Sequence, residues 1–129
     1  MILDSSVLVA IIRQENEAAA FAAMIEDADC RISAASYVEA AVVVDSARDP
    51  IVSRWFDDLI RTGKIEIEPV TATQARIARA AYRDFGKGSG HPAQLNFGDC
   101  FAYALAKDLG EALLFKGSDF AKTDVKCAQ

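Results

Sequence analysis

Short apolar runs in this chain alternate with longer stretches in which apolar residues recur at helical spacing, and that rhythm limits the folds open to it. Met1 to Leu3 has the character of a buried strand, and Val7 to Ile12 continues as a helix. Asn16 is placed to cap a helix running to about Ala28, followed by a second strand from Cys30 to Ala34. Ser36 opens a helix to about Ala47. The next helix starts near Pro50, with Val52, Trp55, Phe56 and Leu59 at i, i+3, i+4 and i+7. Ile65 to Glu68 alternates as a strand and ends at Pro69. Thr71 starts a helix with Ala78, Ala81, Tyr82 and Phe85 on one stripe, stopped by Gly86. A Gly-rich loop reaches Pro92, and Asn96 caps a helix to about Asp108. Ala112 to Phe115 forms another strand, and Val125 begins a last short one. Strand and helix in alternation predict an α/β domain, a central parallel sheet flanked by helices. Right-handed crossovers then cover both faces, and ligands bind beyond the carboxyl ends of the strands.

The 129 residues are expected to form a single domain, with 52% hydrophobic and 26% charged residues. No segment reaches the ~18 apolar residues of a membrane helix, and the first residues lack a signal-peptide pattern, so no membrane association and a cytoplasmic location are expected. Cys30, Cys100 and Cys127 are odd in number and widely spaced, which predicts reduced thiols. His91 is the only histidine and no C-x-x-C pair exists, which argues against structural zinc. The net charge of −5 runs against a general grip on a nucleic-acid backbone. A carboxylate cluster would contribute to that charge, however, and bound metal would offset it.

Most of the 19 acidic residues lie in polar company, but four do not. Asp4 follows Met1-Ile2-Leu3, and Glu39 lies among alanines and valines. Asp99 precedes Cys100-Phe101-Ala102-Tyr103-Ala104-Leu105-Ala106, a helix apolar all round. Asp119 follows the strand ending at Phe115. On the expected fold all four come to the C-terminal edge of the sheet, with Glu39 and Asp99 in first helical turns. Gathered there, they repel one another, and a hard divalent cation, Mg²⁺ or Mn²⁺, removes the conflict. Each also has a plainer role. Asp4 serves as a helix cap, Ser36-x-x-Glu39 is a capping box and Asn96-x-x-Asp99 nearly one, and Ser118-Asp119 starts a turn. Capping and ligation are compatible on one carboxylate. Asp45 follows valines too, but lies late in its helix with Arg48 at i+3, and is left out.

Four segments carry a family resemblance: Met1-Ile-Leu-Asp4-Ser-Ser, Ser36-Tyr-Val-Glu39, Leu95-Asn-Phe-Gly-Asp99-Cys and Leu113-Leu-Phe-Lys-Gly-Ser-Asp119. Together they resemble the PIN-domain ribonucleases, and within them the VapC-type toxins of toxin–antitoxin pairs. The resemblance spans essentially the whole chain. It implies a Rossmann-like fold, metal-dependent endoribonuclease activity, an RNA substrate and a cognate antitoxin protein that blocks the site. It also implies a homodimer, or a hetero-oligomer with the antitoxin. Asp4, Glu39 and Asp99 match the family's central acids and Asp119 its more variable fourth, and Ser5 stands where the family often has Thr.

The expected chemistry is hydrolysis of RNA phosphodiesters by a metal-activated water, with Mg²⁺ or Mn²⁺ between Asp4 and Asp99 and with Glu39 and Asp119 holding water. Ser5, Ser6 and Asn96 are the neighbours expected to orient the acids. Lys116 is the cation best placed to meet substrate, ahead of Arg83, Lys87 and His91. For Tyr37 and Tyr103, core packing outweighs stacking on bases. Surplus apolar surface near Phe21, Met24 and Ile25, or near Trp55, Phe56 and Leu59, is a candidate antitoxin groove. An α/β phosphatase or a receiver-like phosphoacceptor would share the sheet. The first wants an acid two residues after Asp4, where Ser6 stands, and the second wants an Asp ending a mid-chain strand, whereas Asp57 and Asp58 lie in a helix. A non-enzymatic binding partner with a residual acidic site is the remaining alternative.

Overall fold

The computed structural model describes residues 1–129. Along the chain run β1 (Ile2–Leu3), α1 (Ser5–Ile12), α2 (Ala18–Glu26), β2 (Arg31–Ser33), α3 (Ala34–Asp45) and α4 (Pro50–Thr62). Then follow β3 (Glu66–Glu68), α5 (Ala72–Phe85), α6 (Asp99–Leu109), β4 (Leu113–Leu114) and a 3₁₀ turn at Phe120–Lys122. The strands form one sheet in the order β3-β2-β1-β4, every pair parallel. This is the α/β architecture the alternation predicts. No helix is long and apolar enough to cross a membrane.

Side chains alternate across a strand, so short strands feed two separate cores. Ile2 and Leu113 face α5 and α6, in a cluster that includes Leu95, Leu105, Phe115 and Phe120. Leu3, Ile32 and Leu114 face the other way, into a cluster with Val7, Leu8, Phe21, Ile25 and Phe56. Burial on both faces is the usual state of a parallel sheet and explains why these strands are apolar throughout. Helix α6 buries Cys100 and every residue from Ala102 to Ala106, and its run of alanines lets it lie close to its neighbours.

Several boundaries differ from the sequence-based expectation, each for a local reason. Ser33, not Ser36, caps α3, accepting from Ala35 N at 3.3 Å. The chain leaves β2 at Ser33 in an extended conformation, so the first hydroxyl past the strand takes the cap. The expected Ser36–Glu39 capping box is therefore absent: Ser36 is buried inside the helix with its Oγ unpartnered, and Glu39 stands in the second turn. Helix α2 starts at Ala18 without a side-chain cap, so Asn16 does not serve there. Thr71 caps α5 as expected, accepting from Gln74 N. The Gly-rich loop is closed at its base by Lys87 N donating to Leu95 O and Leu95 N to Phe85 O. The segment after Val125 adds a single bridge, Cys127 to Leu113, rather than a strand.

Substitution Leu105→Ala, at a fully buried position, should cost about 2–5 kcal/mol. Val38→Ala, on the exposed side of α3, should stay within about 0.5 kcal/mol. Urea unfolding midpoints of the two variants check both figures.

Candidate active site

Asp4 is the residue at which β1 becomes α1. Its N–H donates to Leu114 O at 3.0 Å, which ties it to the sheet, and its Oδ2 accepts from Ser6 N at 3.0 Å as the cap of α1. The side chain is only 4% exposed. Its other oxygen, Oδ1, is buried and has no hydrogen-bond partner. Burial pushes the carboxyl above the ordinary carboxylate range and the charge of Glu39 adds to this, against the opposing hydrogen bonds from Ser6.

Glu39 reaches the same edge from α3. Ser5 Oγ donates to Glu39 Oε1 at 2.6 Å. The carboxylate lies against the backbone of Gly98, where an added Cβ would collide with Oε2. Gly98 has ordinary helical angles, so glycine is required there by the close approach and not by backbone conformation. Asp99 follows at once. Its Oδ2 accepts from Asn96 N at 2.9 Å, while Asn96 Oδ1 accepts from Asp99 N at 2.8 Å, a reciprocal capping box. Burial raises the Asp99 carboxyl to about 6; the bond from Asn96 opposes this, and the charges of Asp4, Glu39 and Asp119 add to it. Asp119 lies exposed at the start of the 3₁₀ turn after β4.

The four expected acids thus share one sheet edge and feel one another's charge. They do not close into a ready-made cage, for no three His, Cys, Asp or Glu side chains converge as ligands. The donor set still suits a hard cation. All its atoms are carboxylate oxygens, and capping occupies one oxygen of Asp4 and one of Asp99, leaving a second on each. The orphaned Asp4 Oδ1 is a buried acceptor that gains most from such an ion.

Among the neighbouring residues, Ser6 and Asn96 bond the acids they were expected to orient. The Ser5 hydroxyl holds Glu39. Ser6 N–H donates to the capping Asp4, and Ser6 Oγ accepts from Lys116 N at 3.0 Å, pinning the exit of β4. Lys116 turns its ammonium to Glu15 at 2.7 Å and Glu17 at 3.3 Å. Arg83 pairs with Asp84. His91 Nδ1 accepts from Ala93 N, and its ring meets the edge of Phe85, which stiffens the loop. Tyr37 packs on Phe56, and buried Tyr103 donates to Asp124, so both serve packing. Gly98, quoted only within the Leu95-Asn-Phe-Gly-Asp99 segment, is the residue whose own role sequence reasoning missed. Its signal was a glycine immediately before an acid at a helix start, where a hydroxyl or amide cap is the common choice.

A carboxyl raised in the folded state holds its proton more tightly than the unfolded chain does. Asp99 therefore costs stability as pH rises from about 4 to about 6 and beyond. In chelator, Asp99→Asn should match the parent near pH 4 and gain roughly 2–5 °C in Tm above pH 6.5. Thermal melts across that range read the difference.

Comparison with known proteins agrees with this geometry. The family model for the PIN domain matches residues 1–126. Ribonuclease VapC28 of Mycobacterium tuberculosis is 57% identical over 129 residues, covering 99% of this chain and 97% of that protein. Ribonuclease VapC42 of the same species is 46% identical, covering 99% and 98%. Among solved structures, FitAcB from Neisseria gonorrhoeae superposes with TM-score 0.70 at 21% identity, covering 99% of this chain and 96% of that one. A toxin-antitoxin complex from Klebsiella pneumoniae gives TM-score 0.67 at 17% identity, covering 93% and 89%. The acid-bearing sheet edge, the family match and these relatives together establish that the chain belongs to the PIN domain family, as a VapC-type member.

Proposed function

We propose that this protein is a single-domain, divalent-metal-dependent endoribonuclease and the toxic member of a cytoplasmic toxin–antitoxin pair. The observation that carries the reading is the coupling of Asp4, Glu39, Asp99 and Asp119 at one sheet edge, with Asp4 Oδ1 buried and unpartnered. The names of the relatives, both ribonucleases, and the toxin–antitoxin complex with the same fold support it.

Asp4 and Asp99 are the residues that would hold Mg²⁺ or Mn²⁺, each through the oxygen its cap leaves over. When bound, the cation makes water a better nucleophile and stabilises charge on the phosphodiester oxygens. The chain's own part is positional. Glu39, fixed by Ser5 Oγ and by contact with Gly98, accepts a hydrogen bond from the attacking water. Asp119, on the open side, offers a second acceptor. The caps hold Asp4 and Asp99 in fixed rotamers before substrate arrives, so little reorganisation accompanies the reaction. Until the acids are neutralised they repel an RNA phosphate, which couples substrate binding to metal binding.

An antitoxin segment has a seat on α4. Of the apolar residues expected to form that groove, Phe21, Ile25 and Phe56 are core, while Trp55 is 48% exposed and Ile51 stands exposed one turn before it. Beside them an apolar cleft of about 290 Å³ is lined by Ile12, Val43, Val44 and Val52. Exposed Val38 and Val42, one turn apart on α3, supply an apolar face for a homodimer.

Purified partner-free chain should cut cellular RNA in Mg²⁺ or Mn²⁺ and leave it whole in chelator. Asp99→Asn should lose at least about 100-fold in rate with the fold kept. Gly98→Ala, by displacing Glu39, should lose at least about 10-fold. Gel-resolved cleavage rates measure each, and undiminished cutting by Asp99→Asn would overturn the assignment.

A further inference from the structure

Asp119 has the least support of the four acids. It lies exposed and its carboxylate caps nothing, yet its charge is felt at Asp99. The chain reaches it through Lys116, Gly117 and Ser118, where no backbone group bonds another and Gly117 takes a φ of +93°. The far end of this stretch is anchored by Phe120, which is buried and packs on Phe115 at 5.2 Å. The near end has two tethers. Ser6 Oγ accepts from Lys116 N at 3.0 Å, and the Lys116 ammonium meets Glu15 and Glu17. They differ in worth. The ammonium and both its carboxylates are part-exposed, so those pairs exchange readily for water. The bond to Ser6 holds the main chain and so fixes its path. Ser6 N–H also donates to Asp4 Oδ2 at 3.0 Å. One residue in the first turn of α1 thus touches the buried acid of the edge and the stretch that carries the exposed one, 110 positions away in sequence.

We propose that Ser6 is a positioning residue that sets Asp119 relative to Asp4, so that the fourth acid serves the ion site only while the Ser6 hydroxyl holds Lys116 N. The inference rests on the nuclease reading above and names what keeps its most exposed acid in register. The hydroxyl and the backbone of Ser6 do separate work. The cap of α1 uses the Ser6 N–H, which every substitution except proline keeps. The tether uses the side-chain oxygen, which alanine lacks. Removing the hydroxyl therefore leaves Asp4 capped and frees only the stretch from Lys116 to Asp119. Alanine is at ease in a helix and Ser6 is part-exposed, so the fold survives the change.

The test is titration of the full-length chain with Mn²⁺, free manganese being read by its electron paramagnetic resonance signal, so that binding is measured without RNA. Asp119→Asn and Ser6→Ala should each weaken binding by about 10-fold. The double variant should bind within about two-fold of either single one, because an Asp119 that has lost its place has nothing more to lose. Ser6→Thr keeps the hydroxyl and should stay within about three-fold of the parent. Lys116→Ala keeps the amide and loses only the ammonium pairs, so it too should stay within about three-fold. Losses that multiply to about 100-fold in the double variant would overturn the proposal, as would unchanged binding by either single variant. A chain that shows the coupling but never cuts RNA would sink the nuclease reading and leave this one standing.

Discussion

Burial of carboxylates at the sheet edge beyond β1, with their mutual repulsion added, is the constraint around which the site is arranged. Left free, such groups would swing apart into water. Here each is tied by a device that uses only part of its bonding capacity. Asp4 is anchored to β4 by its backbone and caps α1 with one oxygen. Asp99 caps its own helix through Asn96. Glu39 is held by Ser5 and fits because Gly98 has no side chain. The result is an edge with spare acceptors on which burial raises the carboxyls of Asp4 and Asp99, a state that a divalent cation relieves.

Rigid support makes that arrangement affordable. The sheet is short, yet its strands are buried on both faces, and α6, which begins at Asp99, is buried nearly throughout. Two cores therefore grip the elements that carry Asp4 and Asp99. Asp119, on the exposed turn after β4, is held less firmly, in keeping with its place on the open side. The same asymmetry separates charge across the surface. Acids gather at the strand ends, while Lys116 is drawn to Glu15 and Glu17, Arg83 pairs with Asp84, and Arg76 and Arg79 of α5 enter no ion pair. An acidic protein can meet RNA in this way, because local distribution and not net charge decides the approach.

Much of this was legible in the sequence, and the exceptions are instructive. The alternation of strands and helices and the four acids in apolar company led to the fold and to one shared edge. The Asn96–Asp99 box formed as spelled. Ser36 and Asn16 misled because a hydroxyl or amide near a helix start is a cap only if the chain turns there, and the ends of β2 and of the α1–α2 turn decided otherwise. The pairing of Lys116 with Glu15 and Glu17 was not legible, because spacing along a strand exit says nothing about which carboxylates the ammonium will find. Gly98 stood within the Leu95-Asn-Phe-Gly-Asp99 segment, but its part depends on a contact between α3 and the start of α6 that no local pattern encodes.

Anomalous diffraction from crystals soaked in Mn²⁺ tests the shared-ion claim most directly. The account predicts a manganese peak bound by the Oδ1 of Asp4 and by Asp99, with Glu39 and Asp119 within reach through water. A saturated crystal with manganese only elsewhere, such as the acidic stretch from Glu26 to Asp29, would contradict it.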